Sequence, residues 1–196
     1  MVDTILALIA FSFVSSVTPG PNNVLLWASG AEFGLLRTVR HVVGTALGVG
    51  AMTLAAAAGL AALITTVPGL AFAMKVIGSI YLLYLAFRIA SAHGLARGEL
   101  ARPLGVIQAA GFQVINPKAW IFALGAITTF RPPGLSAVDG AIVVAATMMA
   151  VIVPSAALWA AAGGAINGLL TNERRRGMVR LLLAVLVVTT VASVWL

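Results

Sequence analysis

Two short polar stretches interrupt an otherwise apolar chain. The first is Thr18-Pro19-Gly20-Pro21-Asn22-Asn23, which follows ILALIAFSFVSSV and precedes VLLWASG. The second is FQVINPKAW, which holds Gln113, Asn116, Pro117 and Lys118. Proline lacks an N–H and clashes with the preceding helical turn. Pro19 and Pro21 therefore free the carbonyls of Ser15 and Val17, and Pro117 frees that of Gln113. Gly20 lets the backbone leave helical geometry. Each break starts a new half-helix, with Asn116–Pro117 matching a cap followed by a first helical position. The N-terminus of a half-helix carries partial positive charge and free N–H groups, which attract anions. These positive ends and the Lys118 ammonium suit a carboxylate. The freed carbonyls and the amides of Asn22, Asn23, Gln113 and Asn116 suit an ammonium. An amino-acid zwitterion presents both.

The elements that must position these groups are membrane helices. Of 196 residues, 61% are hydrophobic and 9% charged, with a mean hydropathy of +1.09. A soluble domain carries about 25% charged residues, so most of this surface belongs in hydrocarbon. The balance of 12 basic to 5 acidic residues does not signal nucleic-acid binding, because the basic residues lie between apolar runs, where orientation signals belong. The chain has no cysteine, which excludes disulfides and thiolate chemistry. A spanning helix needs about 20 apolar residues. Six such segments are predicted, at about 3–28, 41–66, 69–91, 104–129, 138–163 and 178–196. The first begins Met1-Val2-Asp3 and exits through TPGPNN, unlike a cleaved signal peptide, so it is expected to be retained.

The connections alternate in charge. The first holds Glu32, Arg37 and Arg40, the third Arg88, Arg97, Glu99 and Arg102, and the fifth is NERRRGMVR. The second has no charge and the fourth has Arg131 and Asp139. Positive-inside bias puts both termini on the periplasmic side.

Pro19 and Pro117 lie 98 residues apart, half the chain length, and VTP at 17–19 parallels INP at 115–117. Shifting the second span by the same amount lands on the fifth; the third shifts only partly onto the sixth, a slip assigned to the NERRRGMVR loop. We expect an all-α, single transmembrane domain over 1–196, made of two three-helix repeats at about 1–98 and 99–196. Three spans per repeat invert the second relative to the first, and broken helices 1 and 4 meet near mid-membrane, a pattern of secondary transporters. Lys118 then lies 11 residues from the nearer end of its span, about 16 Å deep. An ammonium there costs about 2.5–3.5 kcal/mol on insertion scales and usually marks function. It could also bridge the freed carbonyls and cap the break.

No Asp or Glu lies mid-span, and His41 and His93 fall near the inner surface. A neutral or zwitterionic solute follows, and Glu32 and His41 stand as candidates for carrying a proton. No motif asks for a cofactor or metal. The chain has no HExxH and no GxSG-type nucleophile, which sets an intramembrane enzyme aside. A cation or metal-ion efflux carrier is the alternative within this architecture. GTALG at 44–48 and the small residues Ala156, Ala160 and Gly164 permit close helix packing or a homodimer contact. Pro154 is expected to kink the fifth span. Tyr81 and Tyr84 are expected to pack between helices or line the cavity, and Lys75 and Arg88 to reach the membrane surface.

TPGPNN, YLLYLAFR and FQVINPKAW at these spacings resemble the lysine-exporter (LysE) family, and within it the homoserine/threonine-exporter (RhtB) branch. The run TPGPNNVLLWASGAEFGLLRTVRH is most similar to exporters of cysteine and O-acetylserine. The resemblance implies a bacterial inner-membrane exporter of small amino acids driven by the proton motive force. It implies function at Pro19, Gly20, Pro21, Asn22, Asn23, Asn116, Pro117 and Lys118. One position departs from the family pattern. Where many members carry an acidic or amide residue after the GxxxG, this chain has Val49.

Overall fold

The computed structural model describes residues 1–60, 66–91, 102–169 and 172–195. Among them are eight α-helices and no strand. They are α1 (Val2–Val17), α2 (Pro21–Phe33), α3 (Leu35–Ala55, continued by a π-helical turn at Ala56–Leu60), α4 (Leu70–Ala90), α5 (Val106–Ile115), α6 (Pro117–Thr129), α7 (Ala137–Leu169) and α8 (Glu173–Trp195).

Both predicted breaks are present. α1 ends at Val17 and α2 restarts at Pro21, the pair bent by 63°. α5 ends at Ile115 and α6 restarts at Pro117, with Asn116 extended between them. In both restarts proline takes the first helical turn, where its missing N–H costs nothing. α7 runs continuously through Pro154.

Among the described residues, length and apolarity qualify two helices to cross a membrane, Leu35–Leu60 and Ala137–Ile166, and a third if the bent α1–α2 pair forms one span. The remaining apolar helices, Phe72–Tyr84, Val106–Ile115 and Gly177–Ala192, are shorter.

Two predicted loops are largely helical. Only Gly34 separates α2 from α3, so Arg37 and Arg40 lie on α3. The turn requires a positive φ of 77° at Gly34, which glycine adopts without steric cost. The basic run Glu173–Arg180 forms the first turns of α8 and is not a loop that could absorb the slip between the halves. His93, Arg97 and Glu99 lie outside the described residues, as does the side chain of Arg88.

α7 is the hub. It packs on α1, α2 and α3, while α3 also packs on α5, and α4 on α8. Glycines allow the closest of these approaches. A Cβ at Gly30 would collide with the Ala160 backbone of α7, and one at Gly163 with the Trp27 backbone of α2. Gly44 and Gly48 meet α5 in the same way, at Val106 and Ala110. The GxxxG face and the small-residue row on α7 are thus occupied within the chain, which removes them as a homodimer surface. Leu8, Val49, Met52, Phe122, Val144, Met148 and Ile152 form one apolar core beside the two breaks. Tyr81 packs on Phe112 at 5.5 Å between ring centroids, and Lys75 lies over the Trp195 ring.

Candidate functional site

The two breaks face one another and share a cavity. Ser15 and Ser16 of α1, Gly20, Asn22 and Asn23 of the first break and α2, and Thr45 and Val49 of α3 form one side. Gln113, Asn116, Lys118, Ala119 and Phe122 of α5 and α6 form another, and Ile152 and Ala156 of α7 complete it. The space open to the centre of a water-sized sphere is about 50 Å³. At roughly 10–15 Å³ per water centre that is room for about three to five waters, or about 90–150 Å³ of liquid volume.

Lys118 crosses from α6 to the first break. Its Nζ donates to Thr18 O at 2.7 Å, to Thr18 Oγ1 at 2.9 Å and to Pro19 O at 3.3 Å. The ammonium's three donors are all engaged, so Lys118 holds the Thr18 and Pro19 oxygens of the first break. Gly20 is explained by this crossing. Its backbone is extended, a conformation open to any residue, but a Cβ there would stand 2.9 Å from Lys118 Cδ. Glycine makes room for the lysine rather than supplying an unusual dihedral.

Asn22 and Asn23 divide the work. Asn23 Nδ2 donates to Ser16 O at 2.7 Å and Thr18 O at 2.8 Å, tying α2 back onto the end of α1. Asn22 Oδ1 accepts from Gln113 Nε2 at 2.9 Å and Thr45 Oγ1 at 3.2 Å, and His41 Nε2 lies 3.4 Å away. Asn116 Nδ2 extends the chain to Gln113 Oε1 at 3.2 Å. Asn116 stands at the cap position of α6, but its side chain makes no capping bond. It bonds Gln113 instead, and among the described residues its buried Oδ1 has no partner.

One expectation is corrected. Two of the three freed carbonyls already have partners within the chain: Thr18 Oγ1 donates to Ser15 O at 2.9 Å, and the Asn116 N–H to Gln113 O at 3.1 Å. His41 is fully buried beside Asn22.

Of the predicted residues, Gly20, Asn22, Asn23, Gln113, Asn116 and Lys118 line the cavity. Pro19, Pro21 and Pro117 do not; they make the breaks that place the others. Ser15, Ser16, Thr45, Val49, Phe122, Ile152 and Ala156 are additional lining residues. Thr45 could have been found from its spacing. It lies one turn after His41 on a helix whose glycines demand a close neighbour.

Charge in this lining comes from one ammonium, and the lining residues include no carboxylate. Among the described residues no three His, Asp or Glu side chains gather as a metal site would need.

Apolar helices broken at prolines, around a small shared cavity, fit a membrane transporter. The sequence profile of the LysE type translocators matches residues 13–194, and the chain belongs to that family. It is 27% identical over 134 residues to a cysteine/O-acetylserine efflux protein of Salmonella typhimurium, an overlap of 68% of this chain and 69% of the other. A protein of the same description from Klebsiella pneumoniae is 29% identical over 127 residues, 65% of each chain. One from Escherichia coli strain K12 is 26% identical over 134 residues, 68% of this chain and 69% of that one. No solved structure matches the chain.

Proposed function

We propose that this protein exports a small neutral amino acid or derivative, of the size of cysteine, O-acetylserine, homoserine or threonine, across the bacterial inner membrane by proton-coupled alternating access. The observation that carries this is the lining of the shared cavity. Asn116, whose buried Oδ1 has no partner among the described residues, and a cation, Lys118, both line the same space. A substrate ammonium donates to the Asn116 oxygen. Its carboxylate accepts from Lys118 Nζ, displacing a carbonyl of the first break. The substrate side chain lies against Val49, Phe122 and Ile152, which favour a short uncharged group. The cavity's volume suits a solute of that size.

Displacing Thr18 O or Pro19 O from Lys118 loosens the contact between the first break and α6. Binding is thereby linked to movement of one half against the other. The packing supports a two-fold relation between six spans, with residues 1–98 forming one inverted repeat and 99–196 the other. Under such an exchange the α3–α7 and α4–α8 contacts map onto themselves, and α1–α7 maps onto α5–α3; all are observed. Both termini are then periplasmic, from the basic residues in the first turns of α3 and α8. The relatives named for cysteine and O-acetylserine efflux support the direction and the substrate class. A cation or metal-ion carrier fits less well, because the lining offers a positive charge where such a solute needs a negative one.

The test is efflux of labelled O-acetylserine from vesicles preloaded through the reconstituted protein. Wild type should empty the vesicles faster than protein-free controls. Asn116→Ala, which removes a hydrogen bond to a charged group, should slow efflux by about 10- to 100-fold, the equivalent of roughly 1.5–3 kcal/mol. Equal rates in wild type and Asn116→Ala would remove Asn116 from the site.

A further inference from the structure

We propose that His41 is the residue through which a proton drives this carrier, acting on the cavity by way of Asn22. The inference rests on the carrier reading above and adds the coupling group that reading lacks. His41 is fully buried on α3 and is not among the residues that line the cavity. It stands one side chain behind the wall, with Nε2 3.4 Å from Asn22 Oδ1. That oxygen also faces donors from Gln113 Nε2 and Thr45 Oγ1. A carbonyl oxygen only accepts, so the Nε2 atom carries the hydrogen and Nδ1 presents its lone pair. Among the described residues Nδ1 is buried without a hydrogen-bond partner.

A ring in this setting is at ease while neutral. A proton arriving at Nδ1 creates a cation whose new N–H has no acceptor, and a buried unpaired charge is strongly opposed. The protonated ring therefore favours a conformation in which Nδ1 meets water or an acceptor. Reaching one requires α3 to shift against α2. Asn22 Oδ1 is shared by three donors from α3 and α5, so the shift changes the positions of Asn22 and Gln113, which do line the cavity. The step makes and breaks only the N–H bond at Nδ1, and the proton comes from and returns to water on opposite sides.

Other charged groups around His41 are few. α2 carries Glu32 in its last turn, α6 carries Lys118, α7 carries Asp139 in its first turn, and α5 carries none. On α3 itself Arg37 and Arg40 are exposed. Lys118 is directed at Thr18 and Pro19, and the described partner of the His41 ring is the neutral Asn22. The proton on His41 thus meets a neutral environment, in which its charge has a large conformational effect.

The experiment separates movement from coupling in proteoliposomes holding the full chain and labelled O-acetylserine. Exchange of label without a pH gradient reports alternation alone, and uphill accumulation under an imposed pH gradient reports coupling. His41→Gln and His41→Asn should retain exchange, slowed by no more than about tenfold, and lose the gradient-driven accumulation together with the pH dependence of exchange. A pH-gradient response equal to wild type in either variant would overturn the role of His41. So would loss of exchange in both variants as monodisperse protein, which would make the residue a packing element. Absence of exchange in wild type would instead overturn the carrier reading, and this inference with it.

Discussion

The first break and the second are built on the same proline device and do different work. The first leaves three residues between its helices and bends the chain by 63°. Its oxygens receive donors from elsewhere: Asn23 Nδ2 on Ser16 and Thr18, and Lys118 Nζ on Thr18 and Pro19. The second leaves a single residue, Asn116, and closes on its own backbone through the Asn116 N–H to Gln113 O. Trp120 Nε1 steadies it further from within α6, at 2.8 Å from Val114 O. One break is therefore a joint held by side chains, and the other is a rigid step that presents side chains to the cavity and to the joint. A wide opening in a helix exposes more backbone than it can satisfy locally, so it recruits distant donors. A narrow one leaves its side chains free for other partners.

Removing the bridge between the two should have the largest effect. Lys118→Ala leaves the Thr18 and Pro19 oxygens without their charged donor, and efflux should fall by at least roughly 30-fold, the equivalent of about 2 kcal/mol. Lys118→Arg should not restore it, because a planar guanidinium does not replace a compact ammonium in the space beside Gly20. Efflux of labelled O-acetylserine by both variants checks this, and wild-type rates in Lys118→Ala would make the bridge incidental. A smaller effect is expected within the joint. Asn23→Ala should destabilise the folded protein by about 1–2 kcal/mol, read as a lower unfolding midpoint in detergent. A shift as large on alanine substitution of Asn116, whose side-chain oxygen has no partner among the described residues, would erase the contrast between joint and step. The smallest effect should come from Gly20→Ala. The added methyl group meets the flexible Lys118 stem, which can give way, so apparent substrate affinity should weaken by about two- to fivefold with little loss of stability.

Much of this arrangement was legible before any coordinates. The breaks follow from proline's missing N–H, and their sites from Pro19, Pro21 and Pro117. Lys118 was conspicuous because an ammonium deep in an apolar run needs a reason. Boundaries were less legible. Gly34 turns the chain in a single residue, and the basic run Glu173–Arg180 continues as helix. Charge does not by itself mark the end of a helix. The burial of His41 was not legible, because distance along a span says nothing about which neighbours cover a side chain. Asn22 and Asn23 could not be told apart, since adjacent residues on a helix point to different faces and the faces acquire meaning only from what packs on them.

Composition, hydropathy and proline chemistry alone determined that the chain is helical, apolar and interrupted twice. These are local properties, set by each residue's own solvation and backbone geometry. Only the tertiary structure decided which polar atoms are spent and which remain. Gln113 meets Asn22 across 91 positions and Lys118 meets Thr18 across 100. A hydrogen bond forms over about 3 Å of space whatever the distance along the chain, so packing alone selects the pairs and leaves Asn116 Oδ1 and His41 Nδ1 without partners among the described residues.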